Sequence, residues 1–167
     1  MALRQGKAGA EQIESVRVET YPAAIRLAGI ARATTPSAAR FSIPFSVALA
    51  LHRGSAAAAD FDDASVGDDS IQSLAGRVAL HTSPHWESVY PNKRGATVTL
   101  TMRGGTVRQA SVDLAKGEPE SPASWGEIIE KFRANARVVL SEEECCALRE
   151  AVLDLENRAI SDITRLI

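Results

Sequence analysis

TPSAARFSIPFSVALALHRG, residues 35–54, is the longest apolar segment of the chain. Thr35 or Ser37 can accept from the free amides of a first helical turn, and Pro36 brings the fixed φ that a helix start tolerates. Phe41, Ser42, Ile43, Pro44 and Phe45 follow, and Val47, Ala48, Leu49, Ala50 and Leu51 leave no room for a polar stripe. The pattern predicts a cap, a basic residue at Arg40, and then a helix buried on most sides.

Upstream, residues 1–12 are small and polar and are expected to form a lead-in. From Ile13 to Thr20, Val16 and Val18 alternate with Ser15, Arg17 and Glu19, which predicts a strand with one apolar face. Tyr21-Pro22 ends it, because a residue before proline is held extended. A short helix is predicted over Ala23 to Ala31.

Downstream, Asp60 to Ser65 suits one helical turn. Asp68 or Asp69 can cap a helix that carries Ile71, Leu74 and Ala75 inward and closes near Gly76. Arg77 to Thr82 alternates as a strand, and an irregular loop that includes Pro91 and Asn92 is predicted to begin at Pro84. The clearest local signal is a hairpin. Ala96 to Met102 sets Val98 and Leu100 against Thr97, Thr99 and Thr101, Gly104-Gly105 supplies positive φ for the turn, and Thr106 to Asp113 returns. Val107 and Val112 are an odd number of residues apart, which predicts a bulge in the return strand.

Pro119 and Pro122 break the sheet pattern, and two helices close the chain. Ser124 with Glu127, and Ser141 with Glu144, have capping-box spacing. Ile128, Ile129, Phe132 and Ala136 trace the expected stripe of the first helix; Leu148, Val152 and Leu155 trace that of the second. Ile160, Ile163 and Leu166 suggest a last turn.

These elements predict an α+β fold in which helices cover at least one face of an antiparallel sheet. The division expected is a lead-in at 1–12, an α/β domain at 13–123 and C-terminal helices at 124–167. A chain of 167 residues is long enough to bury a core without disulfides. A formal net charge of −2 gives no electrostatic reason to expect nucleic acid or an anionic membrane as partner. No apolar run approaches the ~20 residues of a membrane helix, and the opening lacks a signal-peptide core, so a cytoplasmic protein is expected. Adjacent Cys145 and Cys146 fit reduced thiols on a helix.

Chemistry-bearing motifs are few. There is no phosphate loop, nucleophile elbow or clustered Cys/His set. His81 and His85 are spaced i,i+4, but Pro84 between them argues against a shared helix, so no metal site is expected. His52 suits a helix C-terminus. Asp60, Asp62, Asp63, Asp68 and Asp69 lack the spacing and closing glutamate of a calcium loop and read as helix caps. Trp86 and Trp125 read as packing anchors, and glutamates beside the cysteines oppose a nucleophilic thiolate.

The run Ala39, Arg40, Phe41, Ser42, Ile43, Pro44, Phe45, Ser46, Val47, Ala48, Leu49, Ala50, Leu51, then Gly54, resembles the A-K/R-F-S-L/I-P-Y-x-V-A-x-A-L-x-x-G segment of the MmgE/PrpD family. The likeness continues through Asp60-Phe61-Asp62, Gly104-Gly105, Lys116-Gly117-Glu118-Pro119 and Lys131-Phe132-Arg133. It spans the chain from about Ile13 but covers only the C-terminal part of such an enzyme. The family includes 2-methylcitrate dehydratase, cis-aconitate decarboxylase and iminodisuccinate epimerase.

The resemblance implies a lid-like two-layer α/β sandwich whose last helices pack on a separate helical domain. It implies lyase or isomerase chemistry on small polycarboxylates without metal or other cofactor, by lysine and histidine groups of the helical domain and of a loop preceding this region. The isolated chain is therefore expected to be inert. By the same likeness, Arg40 matches a basic position suited to a carboxylate, Ser42 is a possible donor to substrate, and Phe45 stands where the family usually has a tyrosine whose hydroxyl reaches the substrate cavity. Lys116 is expected on an exposed turn. The partners expected are a separate helical subunit, a second copy through the C-terminal helices, or a small carboxylate. The alternatives are a non-catalytic homodimeric remnant and a small-acid binding module.

Overall fold

The computed structural model describes residues 9–166, so residues 1–8 of the expected lead-in lie outside the described residues. Two compact units divide the chain, residues 1–121 and residues 122–167.

The first unit is built on a four-stranded sheet. Its strands are β1 (Ile13–Thr20), β2 (Val78–Thr82), β3 (Ala96–Met102) and β4 (Val107–Val112), in the order β2-β1-β3-β4. Strand β1 is antiparallel to β3, and β3 to β4, whereas β1 and β2 run parallel. The parallel pair follows from the long crossover at residues 21–77, which returns the chain to the end where β1 began. The fold is α+β, as expected, with a mostly antiparallel sheet.

That crossover carries α1 (Pro22–Ala28), α2 (Pro36–Arg40), α3 (Ile43–Arg53), α4 (Asp63–Val66) and α5 (Asp69–Ala75). Val16 and Val18 of β1, with Leu100 and Met102 of β3, form one side of the core. Phe45, Ala48 and Leu49 of α3, with Ile71, Leu74 and Ala75 of α5, form the other. The alternation in β1 thus does what period-two patterning requires, turning Arg17 and Glu19 to the opposite face. Gly54 ends α3 in the left-handed region at φ 78°, where its amide donates to Ala50 O at 2.9 Å.

The opposite face is polar and partly covered. Thr97 and Ser111 hydroxyls lie 2.8 Å apart, and Gln109 Nε2 donates to Thr99 Oγ1 at 3.0 Å. Pro84–Val89, expected as loop, is helix α6. Proline in a first turn is tolerated because that amide has no intrahelical acceptor. Helix α6 buries Trp86, whose Nε1 donates to Thr97 Oγ1 at 3.2 Å.

The hairpin forms, with two corrections. Of the two turn glycines, only Gly105 has positive φ, at 78°. Its amide donates to Met102 O at 2.8 Å while Met102 N donates to Thr106 O at 2.9 Å, the pattern of a three-residue loop closed by one left-handed glycine. The β3/β4 ladder runs unbroken from Ala96↔Val112 to Thr101↔Val107, so Val107 and Val112 lie on opposite faces. Both are exposed on the edge strand, and nothing requires them to share a face. The irregularity lies instead in β1, between Ile13 and Ser15.

In the second unit, α7 (Trp125–Ala136) and α8 (Glu142–Leu153) both start with the capping boxes that their spacing predicts. A short α9 (Ile160–Thr164) follows. Arg133 of α7 and Arg137, its C-cap residue, reach Glu142 of α8 at 2.7 and 3.4 Å. The stripe on α8 differs from expectation: Cys145, Leu148 and Ala151 are buried, whereas Val152 and Leu155 are exposed. On α7, Ile129, Phe132 and Ala136 are half-buried and Ile128 is exposed.

Candidate functional site

The signature segment folds as two helices because of Pro44. In a continuous helix its ring would meet the carbonyl of Arg40, four residues back, and it has no amide to donate. Helix α2 therefore ends at Arg40 and α3 restarts at Ile43 with Pro44 in its first turn. Thr35 caps α2 by accepting from Ala38 N at 3.1 Å.

Ser42 fills the break. Its Oγ accepts from Phe45 N at 3.1 Å and donates to Ile30 O at 2.5 Å, and its backbone bridges to Gly29. The side chain is buried, and this one hydroxyl joins the end of α1 to the start of α3. Such double use of a serine is local backbone satisfaction.

Arg40 is exposed, and its guanidinium takes no ion pair or hydrogen bond among the described residues. Phe45 is 0% exposed and packs on Phe61 with ring centroids 6.2 Å apart. Within six residues the segment thus sends a cation to solvent, ties a hydroxyl to backbone and drives an aromatic ring into the core.

The other candidates fall apart spatially. His81 is on β2 and His85 on α6, where its ring meets Trp86 at 4.7 Å. His52 lies in the last turn of α3. Lys116 is exposed in the turn where Glu118 N donates to Ala115 O. Trp125 is exposed at the start of α7, and Cys145 and Cys146 are free thiols. Among the described residues, no group of three or more His, Cys, Asp or Glu is arranged to hold a metal ion.

The acidic cluster caps and braces its loop. Asp60 Oδ2 accepts from Ala57 N at 2.7 Å and from Ser55 Oγ at 2.5 Å. Asp62 Oδ1 accepts from the hydroxyl of buried Ser65 at 2.6 Å and from its amide at 2.7 Å, which hold the Asp62 carboxyl below the ordinary value of 3.8. The sign follows. A depressed folded pKa contributes stability above the unfolded value, and that contribution is lost as pH falls through the folded one. Asp62→Asn keeps a capping oxygen but removes the charge. Thermal melts at pH 7 and pH 3 should show a smaller acid-induced loss of Tm in the variant; an equal loss would refute the assignment.

One group was not visible from sequence. An open cleft of about 730 Å³ is lined by Arg77, Arg103 and Arg108 together with Glu11, Gln12 and Thr106. The hairpin register alone brings Arg103 near Arg108. Arg77 arrives only through the parallel placement of β2, which no local pattern encodes.

No helix among the described residues is long and apolar enough to cross a membrane. No curated protein matches the chain. The family model described as the MmgE/PrpD C-terminal domain matches residues 1–157. That match takes in the Pro44 break, the sheet and both capped helices, and the chain therefore belongs to the MmgE/PrpD family, of which it carries the C-terminal domain.

Proposed function

We propose that this chain is the lid part of an MmgE/PrpD-type lyase or isomerase acting on small polycarboxylates, inert unless a helical domain supplies the base. The observation supporting this is the match of a C-terminal-domain model over residues 1–157. Proton removal beside a carboxylate needs a positioned base and cations to hold the developing charge. In this reading Arg40 contributes one such cation, its planar fork open to a substrate carboxylate, while Ser42 and Phe45 shape the segment that presents it.

The assay combines the purified chain with the helical domain of an MmgE/PrpD enzyme and follows water loss from 2-methylcitrate. Turnover is expected only with both present. Arg40→Ala should then lower kcat/KM by about 10- to 100-fold, the worth of a charge-assisted hydrogen bond of about 1.5–3 kcal/mol. Turnover by the chain alone would overturn the requirement for a partner domain.

A second reading, a non-catalytic homodimer, draws support from apolar side chains left exposed in the second unit. Val139 is 83% exposed and Val138 73%, with Trp125 and Leu153 also exposed. Light scattering should then report a dimer that Val139→Asp converts to monomer. A monomeric wild-type chain removes this reading.

A further inference from the structure

We propose that the cleft at the hairpin end of the sheet binds a small multivalent oxyanion, one bearing two or more carboxylate or phosphate groups. Strands β1 and β2 begin at this end and β3 finishes there, so the topology gathers Gln12, Arg77 and Arg103 from distant parts of the chain. Arg108 joins them from β4, where it pairs across the sheet with Leu100.

The three arginines differ in how firmly they are held. Arg77 donates through Nη1 to Ile13 O and through Nε to Ser73 O at 3.3 Å, which fixes its plane against the start of β1. Arg103 and Arg108 are exposed, and neither guanidinium takes an ion pair or hydrogen bond among the described residues. Three guanidiniums therefore line one cleft, with Glu11 as the only carboxylate in its lining among the described residues. The chain as a whole carries a net charge of −2, so this is a local concentration of cations rather than a sample of a basic surface.

Like charges so placed repel one another, and an anion that bridges them relieves the repulsion. Guanidinium forks match the paired oxygens of carboxylate and phosphate, and Gln12 and Thr106 add neutral polar groups to the lining. A cleft of about 730 Å³ is in the size range of small-molecule sites. A cation is disfavoured by the same charges. None of Arg40, Ser42 or Phe45 lines the cleft, so this proposal stands or falls separately from the enzymatic reading.

The test titrates the full chain with citrate and with pyrophosphate at fixed ionic strength, by calorimetry and by amide chemical shifts. Saturable binding of at least one anion is expected, with shifts centred on Gln12 and the Arg103–Arg108 hairpin. Arg103→Ala and Arg108→Ala should each weaken it by about tenfold, as expected for one charge-assisted contact. Both residues are exposed, so their truncation spares the core, and unchanged circular dichroism verifies it. Arg26→Ala, which removes an exposed arginine outside the cleft, should bind as wild type. Preference for citrate would identify a carboxylate ligand, and preference for pyrophosphate a phosphate one. If neither anion saturates, or if both hairpin variants bind unchanged, the proposal is wrong.

Discussion

Phe45→Ala is expected to destabilise the first unit by about 3–5 kcal/mol, the range for removing a fully buried aromatic ring. The ring has no exposed surface, and its neighbours are held by two elements at once. Ala48 and Leu49 continue α3, while Ile71 and Leu74 face it from α5, so the hole cannot close by a local shift of one side chain. Phe61, at 6.2 Å, is the neighbour best able to lean in, and its movement would bring the loss toward the lower end of the range. Since a domain of this size has only about 5–15 kcal/mol of stability, the variant should have a large fraction of that removed. Urea unfolding followed by far-ultraviolet circular dichroism measures it. A loss below about 1 kcal/mol would mean that Phe45 is not part of a packed core.

This dependence explains why the signature segment could be read so far ahead of the rest. Residues 35–54 show a cap at Thr35 and a buried helix in the sequence, whereas the restart at Pro44 with Ser42 as its cap and the left-handed stop at Gly54 are added by the structure. The alternation in β1 and β3 and the two capping boxes are legible locally as well. What could not be read depends on contacts between distant residues. Helix α6 hides behind Pro84, which looks like a breaker unless the chain is known to start a helix there. The parallel pairing of β2 with β1 depends on where a long crossover returns, and the arginine cleft depends on that pairing. At the candidate site, the motif singled out Arg40, Ser42 and Phe45 as candidates. Their differing fates, solvent, backbone and core, follow from the Pro44 break and from which side of α3 faces the sheet.

Gly95→Ala should strongly destabilise the first unit, for reasons on the sheet face away from Phe45. A methyl group there would lie 2.2 Å from Trp86 Cζ3 and 2.5 Å from the backbone oxygen of Val112. Neither neighbour can yield cheaply. Trp86 is buried and its Nε1 is committed to Thr97 Oγ1, so swinging the indole away exposes apolar surface and breaks that bond. Val112 is fixed by its pairing with Ala96 across the β3/β4 ladder. Thr20 adds a third constraint, because its hydroxyl donates to Gly95 O at 2.9 Å and resists displacement of the backbone toward β1. Overpacking of this kind costs about 1–3 kcal/mol, and two rigid obstacles put the expectation at the upper end. A double-mutant cycle separates the two obstacles. Trp86→Leu should itself destabilise, but in that background Gly95→Ala should cost less, the remainder reporting the clash with Val112 O. If Gly95→Ala costs the same with or without the indole, the close approach of Trp86 is not what demands glycine at this position.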